Sequence, residues 1–148
     1  MQTRKCKNTL RGHSSGVTCL KALSREKIVS GSYDITLRIW NLTTSQCVQI
    51  LSRHFRGICD LELMPGNLFA SCSGDKSIRI WDTESFDCVR TLNGHTEAVT
   101  SIKLNMNGEL YSISNDGTVK VWNLQTGDCI RTILTELTSC HFQLLKIE

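Results

Sequence analysis

The sequence is poor in the features that mark several protein classes. It has a single proline, Pro65, in 148 residues, and no Pro-, Gly- or Ser-rich stretch that would read as a linker or low-complexity segment. No apolar run approaches the roughly 20 residues needed to span a bilayer. The N-terminus, MQTRKCKNTLRGH, has no apolar segment that could act as a secretory signal; a cytoplasmic or nuclear setting is therefore the expectation. No block of five or more like charges occurs, and no window of eleven residues keeps a helical apolar period. The glycines lack the spacing of either common phosphate-binding loop.

The formal charge of +3 is small but uneven. Within residues 1–30, Arg4, Lys5, Lys7, Arg11, Lys21, Arg25 and Lys27 stand against Glu26 alone. Such an end can attract nucleic acid or anionic lipid, but a solvated chain start is the simpler reading. The eight cysteines include no Cys-x-x-Cys pair. They read as reduced packing residues rather than a disulfide framework.

Cysteine spacing is part of a larger order. Trp40, Trp81 and Trp122 are separated by a constant step of 41 residues. Asp34, Asp75 and Asp116 keep that step, as do His13, His54 and His95, and Ser30, Ser71 and Ser112. Cys6, Cys47, Cys88 and Cys129 open the similar segments CKNTL, CVQIL, CVRTL and CIRTI. A period of about 40–45 residues is that of a propeller blade, whereas the common helical repeats run to about 33–34.

Within one unit the pattern is β throughout. Gly16–Leu20, Lys27–Gly31, Thr36–Trp40 and Cys47–Leu51 are short and rich in β-branched or aromatic residues. Turn residues separate them: Ser32-Tyr33-Asp34, then Ser73-Gly74-Asp75, then Asn115-Asp116-Gly117. Pro65-Gly66 marks a turn between the first two strands of the second unit. A lone four-stranded unit cannot bury both its faces, so such units stack radially.

The Arg-Gly-His and Asn-Gly-His motifs at Arg11–His13 and Asn93–His95, the Ser-x-Ser-x-Asp motifs ending at Asp34, Asp75 and Asp116, and the closing pairs Trp40-Asn41, Trp81-Asp82 and Trp122-Asn123 together resemble the WD-repeat family, from about residue 6 to residue 134. The resemblance implies an all-β fold, a partial β-propeller of four-stranded antiparallel blades. It also implies one buried hydrogen-bonded network per blade: His13, Ser30, Asp34 and Trp40; His54, Ser71, Asp75 and Trp81; His95, Ser112, Asp116 and Trp122. A buried indole N–H needs an acceptor, which the hydroxyl supplies; the hydroxyl then donates to an imidazole oriented by the carboxylate. Arg53 stands where the other repeats have glycine, so the loop before the second blade is expected to differ in shape.

A His–Asp–Ser set invites comparison with a catalytic triad. Three copies in register, each beside its own Trp, read instead as scaffold, since a nucleophile is wanted once, in an open pocket. His13 with Cys19, and His54 with Cys59, lack a second pair at metal-ligand spacing. No catalytic residue, metal or cofactor is expected. In the family, the loops entering each first strand and the turns before each third strand share one face, the usual partner-binding face. Tyr33, Phe55, Arg56, Glu97 and Asn115 fall there, and exposed aromatics and arginine favour binding hot spots. Phe55 either projects from its loop or tucks beneath it.

The domain reading is a single repeat region. Residues 5–10 match the outer strand of a preceding blade. Blades occupy 11–51, 52–92 and 93–134, and 135–148 begin a partial one. Propellers typically close with 4–8 blades, so the ring is expected to be incomplete, finished by a longer chain or by self-association. The leading function is a non-catalytic protein–protein interaction scaffold, of the sort found in ubiquitin-ligase or signalling complexes, binding proteins or peptides through its loop face. The alternative is a regulatory or targeting module of a larger multidomain enzyme. Nucleic-acid binding is the weaker third reading, and no membrane partner is expected.

Overall fold

Each 41-residue unit folds into four antiparallel strands because its β-branched runs are cut by turn residues at the same places every time. A computed structural model describes residues 8–135. The first sheet comprises β1 (Val17–Ala22), β2 (Lys27–Ser32), β3 (Leu37–Asn41) and β4 (Gln46–Leu51). The second comprises β5 (Ile58–Met64), β6 (Leu68–Ser73), β7 (Ile78–Asp82) and β8 (Cys88–Leu92). The third comprises β9 (Val99–Leu104), β10 (Leu110–Ser114), β11 (Thr118–Trp122) and β12 (Cys129–Leu134). Strands pair in sequence order within each sheet, and β1, β5 and β9 pack side by side as the inner strands of successive blades. The chain is thus a partial β-propeller rather than a closed ring. Asn8–Leu10 carry no strand. The rest of the 5–10 segment with Cys6, and the tail after residue 135 with Cys140, lie outside the described residues. The six cysteines within them are free thiols.

The closing Asn or Asp of each third strand explains why the two residue types interchange there. Asn41 Oδ1 accepts the N–H groups of Thr43 and Thr44 at 2.9 and 3.0 Å. Asp82 Oδ1 accepts those of Glu84 and Ser85, and Asn123 Oδ1 those of Gln125 and Thr126. The turn needs one side-chain oxygen, which an amide supplies as well as a carboxylate does. The turn before each third strand reaches a left-handed residue at Ile35 (φ 67°), Lys76 (φ 72°) and Gly117 (φ 77°). Only the third repeat uses glycine there, and a β-branched residue such as Ile35 stores strain in this conformation.

The core lies between blades. Val29, Leu37, Ile39 and Leu51 of the first pack against Ile58, Leu61, Phe69 and Trp81 of the second. Ala70, Cys72, Ile78, Ile80 and Leu92 of the second pack against Val99, Ile102, Leu110 and Trp122 of the third. Each blade thus offers a leading face to its predecessor and a trailing face to its successor. Exposure follows from whether that neighbour is present. Ile58 and Leu61 are 0% exposed, whereas Val17 and Leu20, one repeat earlier, are 57% and 58% exposed. At the far end, Ile133 is 43% exposed where Leu92 is 1%. The open leading face of the first blade holds a groove of about 460 Å³ flanked by Leu10, Val17, Leu20, Ile28 and Trp40. No helix among the described residues is long and apolar enough to cross a membrane.

This difference is directly testable. Leu61→Ala opens a void between two blades and is expected to cost about 3 kcal/mol. Leu20→Ala, at the same repeat position on the open face, is expected to cost under about 0.5 kcal/mol. Urea unfolding of the two variants compares them; equal losses would mean that the first blade's leading face is covered.

Candidate functional site

Every blade ties its entry loop to its β2–β3-type turn by the same chain of hydrogen bonds. In the first, Trp40 Nε1 donates to Ser30 Oγ at 2.8 Å, and Ser30 Oγ lies 2.7 Å from His13 Nε2. His13 Nδ1 then lies 2.8 Å from Asp34 Oδ2. In the second, the Trp81–Ser71, Ser71–His54 and His54–Asp75 distances are each 2.8 Å. In the third, Trp122–Ser112, Ser112–His95 and His95–Asp116 are each 2.7 Å. With an anionic Asp, each imidazole carries its proton on Nδ1 and accepts the serine proton at Nε2, so donation runs one way from indole to hydroxyl to ring, with the ring donating to the carboxylate. Ser71 and Ser112 are fully buried, and each hydroxyl is occupied on both sides. These clusters brace loops and present no free nucleophile.

The carboxylate is the best-satisfied group in the set. Asp75 Oδ2 takes His54 Nδ1 and the Phe55 N–H (3.0 Å), while Oδ1 takes the Ser77 N–H (3.0 Å) and Ser77 Oγ (2.6 Å). Asp34 takes the same four donors from His13, Ser14 and Thr36, and Asp116 from His95, Thr96 and Thr118. Burial acts to raise all three carboxyl pKa values, but these hydrogen bonds outweigh it and hold each well below the usual carboxylate range. Burial pushes His95 down, against the opposing pull of Asp116. An anionic Asp116 beside a neutral His95 fits both directions.

Arg53 does not change the hydrogen bonds of its loop. Glycine supplies room at that position, where a Cβ on Gly12 would meet the Trp40 ring at 3.1 Å and one on Gly94 the Trp122 ring at 3.3 Å, and in the third blade it also supplies backbone freedom, since Gly94 sits at φ 148°. Where Arg53 carries a Cβ, the His54 and Trp81 ring centroids are 6.4 Å apart, against 6.0 Å in the other two blades. The difference in loop shape is thus a small widening and, against the third blade, a backbone at Arg53 without the positive φ of Gly94, within an unchanged hydrogen-bond network.

Two further members of the network escaped the sequence reading. Thr36, Ser77 and Thr118 each give the Asp both a backbone N–H and a hydroxyl. Ser32, Ser73 and Ser114 bridge the two loops: Ser73 Oγ donates to Arg56 O at 2.8 Å and accepts the Asp75 N–H at 3.1 Å, and the other two make the equivalent bonds. Both sets keep the 41-residue step, which was the available signal.

The variable residues sit on top of this brace. Tyr33 N donates to Gly16 O, Gly74 N to Gly57 O and Asn115 N to Ala98 O, so both loop sets share one face. Tyr33 is 66% exposed and lies against Gly57, where a Cβ would come within 2.8 Å of its ring. Phe55 is 80% exposed and therefore projects; the Arg79 guanidinium lies 5.9 Å from its ring centroid. Arg56 is exposed and its stem crosses Gly74. Asn115 is exposed, and Glu97 pairs with Lys76 Nζ at 3.3 Å across the second and third blades. No group of three or more His, Cys, Asp or Glu among the described residues is placed to hold a metal ion.

The family model described as "WD domain, G-beta repeat" matches residues 4–41 and 45–82. A second, "WD repeat-containing protein 75 first beta-propeller", matches residues 66–144. The single-repeat matches end at Asn41 and Asp82, the ends of β3 and β7, so the sequence repeat is staggered by one strand against the sheet. Among curated proteins, the chain is 60% identical over 37 residues to the F-box/WD repeat-containing protein pof1 of Schizosaccharomyces pombe, covering 25% of this chain and 6% of that protein. It is 46% identical over 39 residues to the probable E3 ubiquitin ligase complex SCF subunit scon-2 of Neurospora crassa, covering 26% and 6% respectively. Each match thus spans a small part of a much longer relative. Among solved structures, the WD40 β-propeller domain of Doa1 superposes with a TM-score of 0.80 at 29% identity, covering 86% of this chain and 43% of that one.

Two predictions follow from the geometry. Asp75→Ala orphans the buried His54 Nδ1–H and is expected to cost about 1–3 kcal/mol. Lys76→Ala removes only a half-exposed tie and is expected to cost about 0.5 kcal/mol; equal thermal melts would refute the bracing role. For pH dependence, the depressed carboxyl values stabilise the fold above the ordinary value of about 3.9, and that stability is lost as pH falls below it. Depressed His95 adds an earlier loss, starting near the ordinary value of about 6.5, because the unfolded chain takes up that proton first. Melting temperature should therefore fall gently below pH 6.5 and steeply below pH 4, and Asp116→Asn should blunt the steep part.

Proposed function

The chain belongs to the WD-repeat family, and from that membership we propose that it is a non-catalytic scaffold that binds partner proteins or peptides through its loop face. Tyr33, Phe55, Arg56, Glu97 and Asn115 are the proposed contact residues. The observation that carries this reading is the exposure of two large aromatics on one face, Tyr33 at 66% and Phe55 at 80%, over loops already held rigid from below. Exposed rings on a braced platform contribute contact area at low ordering cost. Neither ring is needed by the network, whose bonds to those loops come from backbone N–H groups and buried serines. The printed names of two relatives, an F-box/WD protein and an SCF ubiquitin-ligase subunit, favour a place in a ubiquitin-ligase complex. The open outer faces of the first and third blades would be met by further blades or by another copy.

The test is affinity for a purified physiological partner, identified first by cross-linking. Tyr33→Ala, Phe55→Ala and Arg56→Ala are each expected to weaken binding about tenfold or more, with thermal melts unchanged. Unchanged affinity in all three would move the site to the blade edges or to the opposite face.

A further inference from the structure

The repeat supplies its own control for charge on the loop face. Four positions on the entry loop, the turn and the start of the third strand can be compared blade by blade. The first blade carries Gly12, Ser15, Ile35 and Arg38 there, and the third carries Gly94, Glu97, Gly117 and Lys120. The second carries Arg53, Arg56, Lys76 and Arg79, four cations. All three blades build the same network with distances of 2.7–2.8 Å, so the fold does not require the charge at Arg53, Arg56 and Lys76; the fourth position is cationic in every blade.

Of the nearby carboxylates, Glu97 pairs with Lys76, and none pairs with Arg53 or Arg56. Asp75 has its four acceptor positions filled from within the blade. Glu97 is engaged with Lys76, whose Nζ also donates to Thr96 O at 2.6 Å. Arg53 and Arg56 are exposed, and neither guanidinium has a hydrogen-bond or ion-pair partner among the described residues. Arg79 bonds Thr91 Oγ1 at 3.3 Å, and its buried Nε has no partner, as is also true of Arg38 in the first blade. Between the two free arginines in sequence stands Phe55, 80% exposed over the Arg79 guanidinium.

We infer that the loop face of the second blade is a docking surface for an acidic peptide segment of a partner protein. Its carboxylates pair with Arg53 and Arg56, and an apolar side chain between them rests on Phe55. This deepens the reading of the loop face as the partner-binding face and rests on it. Guanidinium forks match carboxylates bidentately. Complementary charge sets which partner docks and how fast it arrives.

The experiment is fluorescence anisotropy with the full chain and three labelled probes: a twelve-residue peptide of Asp, Glu and Leu, its Asn, Gln and Leu counterpart, and a twelve-nucleotide single-stranded DNA. The acidic peptide is expected to bind at least tenfold more tightly than either other probe, and to weaken as salt rises. The double variant Arg53→Gly/Arg56→Ser installs the residues that the first blade carries at those positions, and should lose at least tenfold in affinity. Arg56→Glu, which installs the third blade's residue, should lose as much should the double variant fold poorly. Arg25→Ser, on the hairpin at the opposite end of the first blade, should change nothing. Equal binding of the acidic and amide peptides, or no loss in either loop variant, overturns the inference. Tighter binding of the DNA overturns it in favour of nucleic acid. If the charge effects are absent but Tyr33→Ala still weakens an identified partner, only the acidic partner is wrong; if Tyr33→Ala is also silent, the loop-face reading falls with it.

Discussion

A four-stranded blade has two apolar faces and no interior, and the rest of the molecule answers that constraint. The largest fully buried side chains lie where one blade meets the next. Nearly all stability is therefore nearest-neighbour stability. Blade two, with neighbours on both sides, is the best buried, while identical positions in blade one are left open. The same constraint fixes the repeat length in space. Leu20, Leu61 and Ile102 must present the same surface to whatever precedes them, so insertions within a blade are tolerated only where they lie off the packing faces. In this chain there are none.

Burial between blades does not by itself hold the loops that cross the end of each sheet. That work falls to the Asp-centred network. The carboxylate collects donors from the entry loop, the turn and the histidine, and the serine–indole pair anchors the other end of the chain in the sheet. Because the bracing atoms are backbone N–H groups and a few small side chains, the residues at positions 33, 55, 56, 97 and 115 are free to differ. Rigidity beneath and variation above come from the same arrangement. The left-handed residue at the turn shows the limit of that freedom: Ile35, Lys76 and Gly117 all adopt it, so backbone shape is imposed on whichever residue the sequence places there.

Most of the architecture was legible because identical residues recur at a fixed step. Trp, Asp, His and Ser each announced the network by repeating unchanged. Thr36, Ser77 and Thr118 did not, since the repeat alternates threonine with serine and only the hydroxyl is common to all three. In the first blade the strand ends lie within two residues of their expected places, as at Gly16–Leu20 against Val17–Ala22, whereas the strand expected over 5–10 is absent at Asn8–Leu10. The contact of Tyr33 with Gly57 and that of Lys76 with Glu97 were invisible for a different reason. Both cross from one blade to the next, and a repeat read one unit at a time contains no such pair. The effect of Arg53 has two parts: Gly94 uses the backbone freedom of glycine, at φ 148°, and both Gly12 and Gly94 leave room for the Trp ring.

The inner strands carry a second cross-blade pattern that bears on how the open ends can be met. Glu62 Oε2 accepts from Lys21 Nζ at 3.0 Å and from Lys103 Nζ at 3.1 Å. These three residues occupy one repeat position on β1, β5 and β9, so the charges alternate along the three blades and end on lysine at both sides. All are partly exposed, and each pair contributes modestly to stability. Their effect on selectivity is larger, because like charges set side by side disfavour a contact that opposite charges would allow. If two copies met head to tail in the register of the two observed junctions, Lys103 of one would lie beside Lys21 of the other. A neighbouring blade with a carboxylate at that position would continue the alternation instead. Among the described residues the alternation thus ends on a lysine at each outer face, and the same position that ties the three blades together by charge also marks their two open sides.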